Sequence, residues 1–295
     1  MFRTTQARPL PGLFVVVSPT NLQMTVGVAS SLPLVGDRNG AQPSTTIRAR
    51  TTALRQRDEI MTRAAYAHQI QELQDSVVSM ASMVDKAIAR AMDAMLAQDV
   101  QLAQLVREGD QEINDRRWAG EGQALTLIAT QGPMAGDLRL ITAAMQIFTD
   151  LERMGDHASG IAKIVVQTAD EELLKPLVDI PRMALISREM LSDSISAFIE
   201  QDDERAWMVA SRDEEIDTLY DQIYRELLTY MMADPSTINR ATHLLWAAHN
   251  IERIGDRVTN ICERTVFTVT GSFEEMDGLP MAQPSGDSSA SRASG

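Results

Sequence analysis

Leu151-Glu152-Arg153-Met154-Gly155-Asp156 returns as Ile251-Glu252-Arg253-Ile254-Gly255-Asp256, so that a glutamate, an arginine, a glycine and an aspartate recur 100 residues apart. Around each copy the apolar residues fall at gaps of three and four: Ile147, Leu151, Met154, Ala158, Ile161, Val165, then Leu244, Ala247, Ile251, Ile254, Val258, Ile261. That spacing predicts two amphipathic helices with heptad-like seams. With Leu151 and Ile251 at heptad position a, the glutamates take b and the aspartates f, which places the two carboxylates of each copy on one helical face. A single such pair is most often a solvated acidic face, but two copies in the same setting call for more than that. Gly155 and Gly255 add to the case, because glycine inside a helix costs roughly 1 kcal/mol relative to alanine. The usual reason for accepting that cost is close approach of a neighbouring helix, or of a ligand held by the adjacent carboxylates.

The chain has 295 residues, 44% of them hydrophobic, enough for a sizeable core. Its formal charge of −14 disfavours nucleic acid and anionic membranes as main partners and favours cations or basic protein surfaces. Cys262 is the single cysteine, which excludes an internal disulfide or a thiolate metal cluster and fits a reducing compartment. Four scattered histidines, His68, His157, His243 and His249, leave little for a histidine-rich zinc site. No apolar run reaches the roughly 20 residues of a membrane helix.

Residues 1 to about 57 are rich in Ser, Thr, Pro and Gly, with seven arginines and Asp37 as the only acid, and they predict disorder. The arginine bias resembles an organelle transit peptide, and Phe14 to Val17 is too short for a secretory core. We prefer a third reading, in which Met61 is the natural start. From His68 the apolar positions Ile70, Leu73, Val77, Met80, Val84, Ile88, Met92 and Met95 predict a first helix that closes near Gln98-Asp99. A second helix is expected from about Val100 to Thr130, with Leu102, Val106, Ile113 and Leu127 inward, stopped by Gly132-Pro133. A third carries the first motif and fades near Ala169.

Gln98-Asp99, Asp110 and Ile113-Asn114 answer to Gln201-Asp202, Asp213 and Ile216-Asp217 at an offset of 103. The pattern predicts an all-α tandem duplication of a three-helix unit, six long antiparallel helices, with second-copy helices near 181–200, 203–232 and 236–269. Asp234-Pro235 should open the last of these. The expected organisation is a disordered extension over 1–61, bundles over 62–172 and 173–270, and a disordered tail over 271–295.

The second helix of each half also carries a four-spaced polar pair, Asp110 and Asn114 in the first and Asp213 and Asp217 in the second. Set beside Glu152 and Asp156, or Glu252 and Asp256, these make patches of up to eight oxygens that suit a hard cation such as Fe(III), Mn, Mg or Ca. The competing account is neutralisation by Arg153, Arg253, Arg116 and Arg212 in surface ion pairs. A ferritin-like di-iron centre is disfavoured, since the motif helices lack Glu-x-x-His. Positions b and f point outward, so such a site is expected on the bundle surface.

Asp137-Leu138-Arg139, the doubled motif with His157 after its first copy, and the tandem layout together resemble the PhoU family of phosphate-signalling regulators over about residues 62 to 269. That resemblance implies an all-helical cytoplasmic protein, often a homodimer, with metal clusters held by E/D-x-x-x-D motifs. By position the ligands would be Asp110, Glu152 and Asp156 in the first half and Asp213, Asp217, Glu252 and Asp256 in the second. Asn114 stands where an aspartate is expected and offers a weaker, neutral ligand. Iron is the metal foremost implied, with Mn, Mg, Zn or Ca as alternatives. The implied role is a non-enzymatic negative regulator of phosphate uptake and of the phosphate-starvation response. Its implied partners are the ATPase subunit of a phosphate ABC transporter and a sensor histidine kinase, with no nucleic acid and no membrane insertion. The alternative is a metal-dependent hydrolase of phosphate compounds. Against it stand the lack of a nucleophile or clustered histidines, the lack of a phosphate-cradling glycine loop, and carboxylates on a convex face.

Overall fold

Two glutamines set the corners of the fold. Gln98 (φ 50) and Gln201 (φ 55) are the only non-glycine residues with positive φ among those described. Each turns the chain through the left-handed region at the end of a helix, and the aspartate that follows caps the next one. Asp99 Oδ1 accepts from Leu102 N at 3.0 Å, and Asp202 Oδ1 from Arg205 N at 2.9 Å. Such a cap contributes about 1 kcal/mol, which offsets the strain of a β-carbon in that region.

A computed structural model describes the backbone of residues 45–276 and the side chains of residues 63–276. The helices are α1 (Thr45–Ala97), α2 (Val100–Gln131), α3 (Ala135–Gln167), α4 (Asp179–Glu200), α5 (Asp203–Ala210), α6 (Asp213–Ala233) and α7 (Ile238–Thr270), with a 3-10 turn at Pro235–Thr237. The described residues contain no strand, and none of their helices is long and apolar enough to cross a membrane. The stop at Gly132 (φ 57) before Pro133 is as expected. Asp234 Oδ1 accepts from Ser236 N at 2.9 Å, so it caps the 3-10 turn that leads into α7.

Three expectations need correction. α1 begins at Thr45, so 45–61 is helical where disorder was expected. Every proline and glycine of residues 1–61 lies at or before Pro43, and nothing after it breaks a helix. Residues 1–44, which hold the remainder of the expected extension, lie outside the described residues. The helix expected over 203–232 is two, broken at Ser211-Arg212. There Ser211 Oγ donates back to Met208 O at 2.8 Å and Arg212 N donates to Val209 O at 3.1 Å, a local tightening of a kind that often bends helices. As a result Asp213 is the first residue of α6. Finally, 271–276 are not a free tail: Gly271 (φ 77) reverses the chain, Phe273 stacks on Phe267 at 4.1 Å between ring centres, and Met276 is buried. Residues 277–295 lie outside the described residues.

Met1–Arg57 and Asp58–Gly295 are separate units, and the two halves read from the sequence both fall in the second. Within that unit α3 and α7 lie against each other, α2 packs on α3, and α4, α5 and α6 pack on α7. The seam residues Ile147, Leu151, Met154, Ala158, Ile161, Ala247, Ile251, Ile254, Val258 and Ile261 are fully buried. At ~1.5–3 kcal/mol for each large apolar side chain, this seam is the main force that holds the motif helices in place. α1 joins the first half through Val77, Met80, Val84 and Ile88, and Ser76 Oγ donates to Gln123 Oε1 on α2 at 3.1 Å.

Candidate metal site

Each glycine of the doubled motif gives room to an aspartate on the neighbouring helix. A β-carbon on Gly155 would lie 3.1 Å from Ile113 Cδ1 and 3.7 Å from Asp110 Oδ1 of α2. One on Gly255 would lie 2.6 Å from Asp213 Oδ1 and 2.9 Å from Ile216 Cδ1 of α6. Both reasons anticipated for these glycines therefore apply at once, since the helix that approaches brings a candidate ligand with it. The structure places the predicted residues in two clusters, Asp110, Asn114, Glu152 and Asp156 at α2–α3, and Asp213, Asp217, Glu252 and Asp256 at α6–α7.

The glutamates are less open than positions b and f implied. The Glu152 side chain is only 11% exposed and that of Glu252 18%, against 40% for Asp156 and 34% for Asp256. α2 packs on α3 and α6 on α7, which leaves the glutamates partly covered and the outer aspartates more open. Glu152 Oε2, Asp213 Oδ1 and Glu252 Oε2 are buried without a hydrogen bond. The two glutamate oxygens do have guanidinium nitrogens nearby, Arg153 Nε and Arg253 Nε, each at 3.4 Å, but outside hydrogen-bond geometry. Asp213 Oδ1 has no such neighbour.

The electrostatics follow from this crowding. Burial pushes the Asp213 carboxyl up to about 7, helped by the charges of Asp217, Asp256 and Glu252 and opposed by Thr259, whose hydroxyl donates to Asp213 Oδ2 at 3.4 Å. Glu252 is raised by burial first and then by Asp256. Asp110 is raised by burial, then by Asp156 and Glu152, while Asn114 Nδ2, donating to Asp110 Oδ2 at 3.4 Å, works the other way. Carboxylates so placed repel one another, a cost that a bound cation would relieve.

Arg153 and Arg253 bridge their own motifs, reaching Asp156 Oδ2 at 3.3 Å and Asp256 Oδ2 at 2.9 Å. The other arginines expected to neutralise the clusters do not. Arg212 turns away to Glu189 and Glu215, and at α2 it is Arg117, not Arg116, that reaches Glu152. The seven-residue step from Asp110 to Arg117, two helical turns, is the signal that could have picked out Arg117. His157 also points elsewhere: its Nδ1 lies 3.0 Å from Asn250 Oδ1 across the α3–α7 seam, and burial lowers its affinity for a proton. Among the described residues no three His, Cys, Asp or Glu side chains are grouped so as to hold a metal ion as they stand.

The PhoU domain family matches this chain twice, at residues 77–165 and 180–265. A Clostridium acetobutylicum protein called phosphate-specific transport system accessory protein PhoU homolog is 38% identical over 218 residues, which cover 74% of this chain and 100% of that one. Its namesake in Aquifex aeolicus is 42% identical over 185 residues, covering 63% of this chain and 84% of the relative. Among solved structures, the crystal structure of PhoU from Pseudomonas aeruginosa superposes with a TM-score of 0.67 at 33% identity, covering 70% of this chain and 100% of that chain.

Proposed function

The chain belongs to the PhoU family, and we propose from that membership that it is a regulatory accessory protein of phosphate transport, without enzymatic activity, that binds a metal ion. In this reading it restrains phosphate uptake and the phosphate-starvation response from the cytoplasm, as a homodimer. It does so by linking the ATPase subunit of a phosphate ABC transporter to a sensor histidine kinase. The names of the relatives support the transport role.

The observation that carries the metal reading is Asp213 Oδ1, buried and without a hydrogen-bond partner in a cluster shared with Asp217, Glu252 and Asp256. An acceptor oxygen left in that state costs about 1–3 kcal/mol, and a cation would remove both that cost and the mutual repulsion. The donor set is all oxygen and anionic, as iron, manganese or another hard cation requires. Asp213, Asp217, Glu252 and Asp256 would hold it, with Arg253, 45% exposed, turning outward to admit it. Asp110, Glu152 and Asp156, with the neutral Asn114, form a poorer counterpart.

Deleting the gene in its own host should raise phosphate accumulation in phosphate-replete medium, and wild-type protein should restore the low level where Asp213→Asn/Asp217→Asn does not. Unchanged accumulation in the deletion strain would sink the regulatory role. Steady turnover of phosphoesters by the metal-loaded protein would show a hydrolase instead.

A further inference from the structure

Helices α1 and α4 leave a cleft of about 620 Å³ between them. On α1 its wall is Val78, Ala81, Ser82 and Asp85, and on α4 it runs from Leu185 to Glu200. Each wall is one helical face, since its residues recur at gaps of three and four. The α4 face is about 22 Å long, four helical turns. The floor is apolar, with Ala81, Leu191 and Ile195 buried, while Val78 and Leu185 are 45% and 52% exposed. Ser192 and Ser196 keep the middle of the α4 face small, so a further helix can come close. Arg188 ties the two walls together, donating from Nε to Asp85 Oδ1 at 2.6 Å and from Nη2 to Oδ2 at 3.1 Å.

The α4 wall is anionic toward both ends. Glu189 and Glu200, 51% and 61% exposed, lie eleven residues apart, about three turns. The guanidiniums beside them are shared. Arg212 reaches Glu189, Asp193 and Glu215, and Arg205 reaches Asp193 and Glu200 with Asp202 also near. Five carboxylates thus meet two arginines, while Arg188 is engaged by Asp85, with Asp93 also near it. Lys86 and Arg90 of α1 and Arg182 of α4 do not line the cleft.

We propose that this cleft docks an amphipathic helix of a partner protein, apolar on its buried face and carrying a lysine or arginine near each end, about three turns apart. Apolar residues at i, i+3, i+4 and i+7 of the partner fill the floor, as in other helix-in-groove contacts. Its two cations meet Glu189 and Glu200, where the chain's own arginines are spread over more carboxylates than they can neutralise. A small molecule fits less well, because the lining extends over four turns of α4 and its apolar edges stay exposed. The inference is independent of the metal reading, since no residue of the two acidic clusters lines the cleft.

The probe is a fluorescent synthetic helix of about four turns, with leucines on one face and two lysines at the proposed spacing, titrated with the full chain and followed by anisotropy. One control peptide carries glutamates in place of the lysines, and another has its leucines scrambled. Wild type should bind the lysine helix at least about tenfold more tightly than either control, a difference of about 1.4 kcal/mol. Ser192→Trp, which fills the cleft from an exposed position, should weaken that binding by at least about tenfold. Glu189→Lys/Glu200→Lys should reverse the preference toward the glutamate helix. Melting curves check the fold of both variants, and either one decides the matter should the other fail to fold. No binding of the lysine helix by wild type, or full affinity in Ser192→Trp, overturns the inference. So does a preference for the lysine helix that survives the charge reversal. Sedimentation of wild type and Ser192→Trp should give the same oligomeric state; a dimer that Ser192→Trp dissociates would make a second copy of this chain the occupant and overturn the proposal.

Discussion

Replacing Asp213 by asparagine should stabilise the metal-free protein, and the gain should grow with pH. Folding lifts this carboxyl from 3.8 to about 7. Between those values the folded chain keeps a proton that the unfolded chain has released, so stability falls as pH rises from about 4 to about 7 and stays low above. At 1.36 kcal/mol per pH unit the full rise is worth about 4 kcal/mol. Three effects reduce it: the site is partly solvated, the titration is shared with Asp217, Asp256 and Glu252, and asparagine gives up a favourable charge of about 0.3–1 kcal/mol at the start of α6. A gain of about 2 kcal/mol at pH 8 remains, or ~4–8 °C in Tm for a domain of this size, shrinking to almost nothing near pH 4. Calorimetric melting of wild type and Asp213→Asn in chelator, in steps from pH 4.5 to pH 8, measures it directly. A difference that does not change with pH, or a wild type more stable at pH 8, would refute the account of Asp213 as a carboxylate held against its preference. Added Mn²⁺ should raise the Tm of wild type and leave Asp213→Asn less affected.

Leu151→Ala and Ile251→Ala remove fully buried seam side chains and should each cost about 2–5 kcal/mol in urea unfolding; losses below about 1 kcal/mol would mean the seam is not the core. The two motif glycines should respond differently to alanine. Gly155→Ala meets the two methyls of Ile113 at 3.1 and 3.2 Å, a milder approach that the gain of about 1 kcal/mol in helix propensity should largely offset. Gly255→Ala drives a methyl to within 2.6 Å of Asp213 Oδ1 and should lower Tm, and equal melting of the two variants would contradict that geometry. Asp150→Ala leaves the guanidinium of Arg257 and the amide of Asn260 without the carboxylate they share, and should cost about 1–3 kcal/mol; no change in urea midpoint would show that the junction does not hold α3 to α7.

The helices were legible because burial imposes a period: every apolar position read at gaps of three and four in the motif helices is buried, and Gly132-Pro133 stops α2 for the reason it should. Punctuation without a period was less legible. Gln98 and Gln201 take a left-handed turn that sequence rules reserve for glycine and asparagine, and the Ser211-Arg212 break arises from a hydroxyl returning to its own backbone, which serine also does in unbroken helices. At the sites, heptad position gave the right face but the wrong exposure. A glutamate at b is open on an isolated helix, whereas here α2 packs on α3 and α6 on α7, and Glu152 and Glu252 are mostly covered.

The repeat also conceals how the halves meet. Aligned at 100 residues, Asp150 corresponds to Asn250, His157 to Arg257 and Gly160 to Asn260, and read along the chain these are unremarkable mismatches between copies. In space they pair crosswise. Arg257 and Asn260 of α7 donate to Asp150 of α3 at 3.5 and 3.2 Å, while His157 of α3 meets Asn250 of α7, beside Gly160. One junction is therefore ionic and the other neutral. Burial disfavours charge at both ends, raising Asp150 and lowering His157, and at the Asp150 end Asn260 and Arg257 oppose it. Each mismatch is correct for its partner in the opposite half, and comparing the copies side by side cannot show this, because the constraint runs between non-equivalent positions. It also sets the reach of each site: the residue after Asp256 is Arg257 and the residue after Asp156 is His157, so the backbone that carries each outer aspartate also carries a contact to the other half.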